Sequence, residues 1–295
     1  MKNPLIGVVV GFIVLTIVFG GIETAVRRRW IGGRAPDFPT RKRTRRELIQ
    51  DITYWAMSPL LSRALTEAAI AVVLVTLAWQ AGTGDGEAGV KAMIQAIQAR
   101  SPIARLPIAV QVFLGFALAD LIGYATHRLF HKGSLWRFHA IHHASQKLDW
   151  MASTRLHPLN ELVSRLATTM PLVFLGFNLV ALGSVASAFT FYAIFLHADV
   201  PWSYGPLKYV IASPRFHRWH HTSAAEGRDK NFAGLFPIWD ILFGTFYMPA
   251  HEPTVFGVDD AVPTGIVQQM IWPFRSKTVV ADATYASPPA PDRVS

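Results

Sequence analysis

The chain has 295 residues, 51% hydrophobic and 16% charged, with a formal charge of +9 and no cysteine. The long apolar runs point away from a soluble domain and toward a membrane, and the missing thiols exclude disulfides, thiolate ligands and cysteine nucleophiles. Positive charge alone would suit nucleic acid, but nine Lys or Arg lie between Arg27 and Arg46, directly after an apolar run. That is the pattern of a cytoplasmic membrane loop, so no nucleic-acid partner is expected.

Leu5 to Ile22 is apolar for about 18 residues, long enough to cross the hydrocarbon. It lacks a small-x-small cleavage site before Glu23, which favours an uncleaved anchor over a signal peptide. Ala64 to Trp79 reads as a second span, closed by the Gly-rich stretch Ala81 to Gly89, and a short helix through Ile97 is placed outside the bilayer. Leu106 to Ile122 is the third. Arg165 to Ala198 is apolar for about 34 residues, or roughly 51 Å as one helix, which exceeds the ~30 Å core. A hairpin broken near Leu182-Gly183-Ser184 fits better. Phe232 to Phe246 is apolar enough to lie along a membrane surface, and the Ser/Pro-rich tail, residues 276–295, reads as disordered.

The fold expected is an all-α integral membrane protein: about four transmembrane or hairpin helices under a cytoplasmic helical cap. Residues 1–104 would be anchor helices and a basic cytoplasmic loop, and 105–275 the catalytic domain. If the basic loop fixes the first span's end inside, the third span returns inside and the hairpin starts and finishes there. Every histidine from His127 to His221 then meets at one interface.

Ten of the eleven histidines fall in that window. His127 and His131 are four apart and share a helix face. The pattern H-x-x-H-H occurs twice, as His139, His142, His143 and as His217, His220, His221. In each, the i,i+3 pair shares a face while the adjacent histidine points about 100° away, so each cluster can reach two metals. His157, before Pro158, and His197, closing an apolar leg, complete a set of ten ring nitrogens. Ten exceed one ion's needs, and two ions would take about five each with an open position apiece. Neutral nitrogen ligands with open positions suit a redox metal, iron first. Asp120 and Tyr124 lie on or near the His127 face; Asp120 would hold the outer ring nitrogen of a ligand histidine, or serve as an interfacial cap. Phe113, Phe116, Phe189, Phe191 and Phe195 are candidates for a substrate channel.

These motifs, with Arg155-Leu156-His157-Pro158, Pro214-x-Phe216-His217-Arg218, Asn231-Phe232 and Trp239-Asp240-x-x-Phe243-Gly244-Thr245, resemble the fatty acid hydroxylase/sterol desaturase superfamily of membrane diiron enzymes. The resemblance covers roughly residues 105–250. It implies two iron ions (with zinc as an occupant on isolation) held by His127, His131, His139, His142, His143, His157, His197, His217, His220 and His221. It further implies O2 as co-substrate, hydroxylation of an unactivated lipid C–H bond, and electrons from a separate cytochrome b5, ferredoxin or reductase. Asp199 stands where relatives commonly carry Asn. The rival readings are a lipid desaturase, an ether- or aldehyde-acting oxygenase on the same site, and a nonenzymatic metal-binding membrane protein.

Overall fold

The structure, a computed structural model, describes residues 4–26, 28–29 and 42–275. Most of the basic segment (27 and 30–41) and the tail from 276 therefore lie outside the described residues.

Helix α1 (Pro4–Val26) turns Phe12, Leu15, Phe19, Ile22 and Val26 inward, a spacing of alternating three and four that keeps one stripe on one face. Leu5, Ile6, Val9, Ile13 and Ile17 face outward, each at least half exposed, as lipid contact requires. Helix α2 (Arg45–Met57) starts at a capping box: Glu47 N–H donates to Thr44 Oγ1, and Thr44 N–H donates to Glu47 Oε2. Pro59 has no N–H to continue the ladder, and the chain passes through a π turn, Ser58–Ser62, into α3 (Arg63–Gln80). The second span is thus the C-terminal part of a longer continuous unit, Arg45–Gln80.

Helix α4 (Gly86–Arg100) packs across α3 through Ala78, Met93 and Ile94. Helix α5 (Ile108–Phe130) is the third span and carries His127 in its last turn. Helix α6 (Trp136–His143) follows, then the hairpin of α7 (Pro158–Phe174) and α8 (Leu179–Leu196).

That hairpin exists, but its break is at Leu175–Asn178 rather than at 182–184. Gly176 adopts φ +81, a conformation open to glycine. Asn178 caps α8, its Oδ1 accepting from Val180 N–H, while its own N–H donates to Gln111 of α5. Gly183 and Ser184, by contrast, stay helical. Ser184 Oγ simply bonds back to Val180 O.

Four segments are long and apolar enough to cross a membrane: Leu5–Val26, Arg45–Gln80, Ile108–Phe130 and Leu179–Leu196. The chain is a multi-pass integral membrane protein. The C-terminal ends of α1, α5 and α8 meet the N-terminal ends of α2 and α7 at one end. Glu23 of α1 accepts from the backbone N–H of Asp199 just beyond α8, and Asp51 of α2 pairs with Arg155 just before α7. Above this end sits a cap of short helices: α6, α9 (Pro214–His220), α10 (Ile238–Leu242) and α11 (Ile266–Ile271). The described residues form no strand beyond one isolated bridge, Thr222 to Phe256. The apolar Phe232–Phe246 stretch is mostly loop; only α10 and Phe243 present an exposed apolar edge.

A methyl group at Gly176 would collide with the Ser101 side chain, and the φ itself is strained for any other residue. Gly176→Ala should cost about 1–3 kcal/mol and lower the unfolding temperature in detergent, whereas Gly7→Ala, facing open space, should not. Equal midpoints for the two variants would contradict this account of the turn.

Candidate metal centre

Nine histidines converge at the helix ends, in two sets. The first comprises His127, His131, His139, His143 and His220; the second His142, His197, His217 and His221. Within each set, one ligand atom per ring lies within 4.8 Å of all the others. Each H-x-x-H-H motif serves both sets, as its spacing suggested, but the partition differs from the i,i+3 pairing. His139 goes with His143, and His217 with His221, because residues four apart on a helix are offset by only about 40°, against about 60° for residues three apart. The sets adjoin: the rings of His143 and His221 stack at 4.3 Å.

The outer nitrogens decide what the inner ones can do. Nδ1 of His127 faces Phe232 O at 2.8 Å, Nδ1 of His220 faces Lys230 O at 2.8 Å, and Nδ1 of His197 faces Ala193 O at 2.7 Å. A carbonyl oxygen only accepts, so these Nδ1 atoms carry the proton and Nε2 keeps its lone pair. His139 Nδ1 donates to Asn160 Oδ1 at 2.9 Å, and His131 Nδ1 to Asp229 Oδ1 at 3.1 Å. Inside, Nε2 of His127 lies 2.9 Å from Nε2 of His139. Nε2 of His197 lies 3.2 Å from those of both His142 and His217, and His217 lies 3.1 Å from His221. The Nε2 atoms of His131, His143 and His220 are buried without a hydrogen-bond partner.

Lone pairs aimed at one another in a dry site repel, and a cation among them removes that repulsion. Two nitrogens each ~2.1 Å from one ion and ~90° apart would be ~3.0 Å from each other, close to the separations here. The donor sets therefore fit metal ions. Burial pushes the imidazoles of His131, His139, His142, His143, His217, His220 and His221 below the usual histidine range, and the neighbouring rings of each set push most of them further. For His197 burial lowers it to about 4. Neutral rings are what a metal needs.

Three of the expected site residues lie outside both sets. His157 does not join either set: it is the N-cap of α7, with Nδ1 accepting from Leu159 N–H and Nε2 donating to Met270 O at 3.1 Å. Both its nitrogens are spent on the backbone. Asp120 touches no histidine; it accepts from the backbone N–H groups of Gly234, Leu235 and Phe236 at 2.7–3.0 Å. Tyr124 pairs its hydroxyl with Thr245 Oγ1 at 2.9 Å and accepts from Arg128. Asp240 in turn accepts from Phe232 N–H, Ala233 N–H and Thr245 Oγ1. Two carboxylates thus hold residues 232–236, and Phe232 O holds His127, so Asp120 acts at one remove.

The candidate channel residues divide as well. Phe113 and Phe191 are exposed, Phe116 packs on Phe189, and Phe195 packs on Phe19, Tyr192 and Trp202.

Residues 112–245, which hold all nine clustered histidines, match the profile of the family described as Fatty acid hydroxylase. The chain is 36% identical over 174 residues to ornithine lipid hydroxylase OlsE of Rhizobium tropici, covering 58% of this chain and 52% of that one. It is 32% identical to the alkylglycerol monooxygenase of Homo sapiens over 162 residues, 52% of this chain and 33% of the other. It is 31% identical to the very-long-chain aldehyde decarbonylase GL1-1 of Oryza sativa subsp. indica over 170 residues, 52% of this chain and 26% of the other. The chain thus spans about half the length of the first of these relatives and a third or less of the other two. No solved structure matches.

Sequence spacing found the clustered histidines but not what fixes them: Asn160, Asp229 and the carbonyls of Ala193, Lys230 and Phe232. Nor did it find the ion pairs of Asp199 with Lys147 and Arg218, or of Arg218 with Glu252, beside the second set. Carbonyls leave no trace in residue type, and the ion pairs join residues scattered along the chain.

Two outcomes follow from the geometry. Asp120→Ala frees the 232–236 loop and should weaken metal binding about 10- to 100-fold by titration; an unchanged affinity contradicts the linkage. The second concerns pH. The folded-state imidazoles lie below the unfolded value of about 6.5, so between those values the unfolded chain binds more protons. Metal-free protein should therefore be stable above pH ~6.5 and lose stability as the pH falls from there toward ~4, read as a falling unfolding midpoint. A midpoint flat across that window would contradict it.

Proposed function

We propose that this chain is a membrane-bound, O2-dependent oxidoreductase that hydroxylates an unactivated C–H bond of a lipid at a pair of iron ions. The convergence of nine imidazoles in sets of five and four, seven of them buried and five with Nδ1 held so that Nε2 faces inward, carries this reading. The names of the relatives, a lipid hydroxylase and a monooxygenase among them, agree with it. All-nitrogen sets without thiolate or carboxylate leave coordination positions open on a six-coordinate ion, which favours iron over structural zinc.

Bound there, an iron pair supplies the reduction of O2 and the oxidation of carbon: R–H + O2 + 2e⁻ + 2H⁺ gives R–OH + H2O. The protein does the rest. His127, His131, His139, His143 and His220 hold one ion, and His142, His197, His217 and His221 the other. Asn160, Asp229 and three carbonyls orient five of the nine rings, and burial of the second set keeps water from it. Residues 105–275 form the catalytic unit on the anchor formed by 1–104.

The metal site faces the cytoplasm in this reading. Arg43, from the basic segment after α1, reaches Asp149 and Asp51 at the site end of the bundle, and basic segments stay inside. A separate cytochrome b5, ferredoxin or reductase would deliver the two electrons from that side.

The test is turnover with labelled gas. Protein loaded anaerobically with Fe(II), then given lipid extract, a reductant and isotopically labelled O2, should yield a lipid bearing one labelled oxygen. His197→Ala should yield none. O2 consumed without labelled product, an alkene in its place, or full activity of His197→Ala would overturn the assignment.

A further inference from the structure

The two histidine sets differ in their access to water. A cavity of about 250 Å³ opens on the cap surface beside the first set. Its wall includes the rings of His131, His143 and His220, three of the five ligands of that set; no ring of the second set lines it. Nε2 of each of these three is buried and unpartnered, so the rings in the cavity wall stand between it and unpaired metal-binding nitrogens. Its rim is acidic. The carboxylates of Asp229 and Asp259 are 71% and 76% exposed, and Asp260 adds a third, with Oδ2 accepting from Trp136 Nε1 at 2.7 Å. Arg228 pairs with Asp259 and is the cation of the rim.

The second set is closed. Its rings are about as buried as His139, His143 and His220 of the first set; what differs is that no cavity reaches them and buried ion pairs flank them. Arg218, 1% exposed, binds Asp199 at 3.2 Å and Glu252 at 3.1 Å, and Lys147 binds the other oxygen of Asp199. Glu23 of α1 accepts from Asp199 N–H, and Trp150 and Met151 pack α1 against the same region. Opening a path to this set means breaking buried ion pairs and leaving charges without partners, a far steeper cost than displacing water from a cavity.

We infer that the cavity is the entry and exit route for a hydrated divalent cation at the first set, and that an ion at the second set is trapped by the folded cap. The inference rests on the dimetal reading above. The exposed carboxylates raise the local cation concentration and hand the ion to the free nitrogens of His131, His143 and His220. The second ion then exchanges only through local unfolding of the cap.

The experiment uses the full chain in detergent, loaded with Zn2+ and challenged with excess chelator, with released metal followed over time. Two ions should leave in two phases of equal amplitude. His220→Ala should delete the fast phase and His197→Ala the slow one. Ser223→Trp, which fills the cavity from its wall, should slow the fast phase and leave the slow one unchanged. If that variant misfolds, Asp259→Asn combined with Asp260→Asn should slow Zn2+ uptake at the first set about tenfold at low salt, and less at high salt. Two ions leaving together, or the two phases slowing equally in Ser223→Trp, would overturn the inference alone. One ion per chain would overturn the dimetal reading and this inference with it.

Discussion

Everything in this molecule depends on keeping the lone pairs of buried imidazoles pointed at one another. Neutral rings in a dry pocket gain nothing from such an arrangement by themselves, since each ring loses water and meets a like partial charge. What sustains it is a fixed acceptor behind a ring. Carbonyls of Phe232, Lys230 and Ala193 take the Nδ1 protons of His127, His220 and His197, and Asn160 and Asp229 take those of His139 and His131. Because a carbonyl cannot donate, the inward lone pair follows from the outward bond.

Those acceptors need placing in turn, and the buried carboxylates serve that purpose. Asp120, low on α5, and Asp240, in α10, together accept from five successive backbone N–H groups of 232–236. The loop that fixes His127 is held from both sides by groups whose own desolvation those bonds offset. Asn231, at φ +58, is pinned by bonds to Phe216 O and to both backbone groups of Tyr247, so the turn that presents Lys230 O has little freedom. The helices matter chiefly for direction. Three of them deliver their C-terminal ends to the site, and the α7–α8 hairpin returns His197 to the end from which Asn160 started.

Much of this could be read from residue order, and what could not has a physical reason. Apolar runs of membrane length gave four spans, because a bilayer constrains length more tightly than a soluble core does. Repeated H-x-x-H-H gave the convergence, because such density of imidazole has few structural uses. The hairpin break was misplaced because Gly183-Ser184 looks like a turn, whereas Gly176 with the Asn178 cap is the stronger stop-and-start signal. His157 stands before Pro158, which suits an N-cap, a local role that spacing to other histidines does not reveal. Asp120 lies seven residues before His127, on its face, yet its partners are backbone groups more than a hundred residues away. Residue type alone cannot announce such partners.

The most direct measurement is anomalous difference density at the metal edge from crystals of the metal-loaded protein. The account predicts two peaks: one enclosed by His127, His131, His139, His143 and His220, the other by His142, His197, His217 and His221. A single peak, or a peak coordinated by His157, would contradict it.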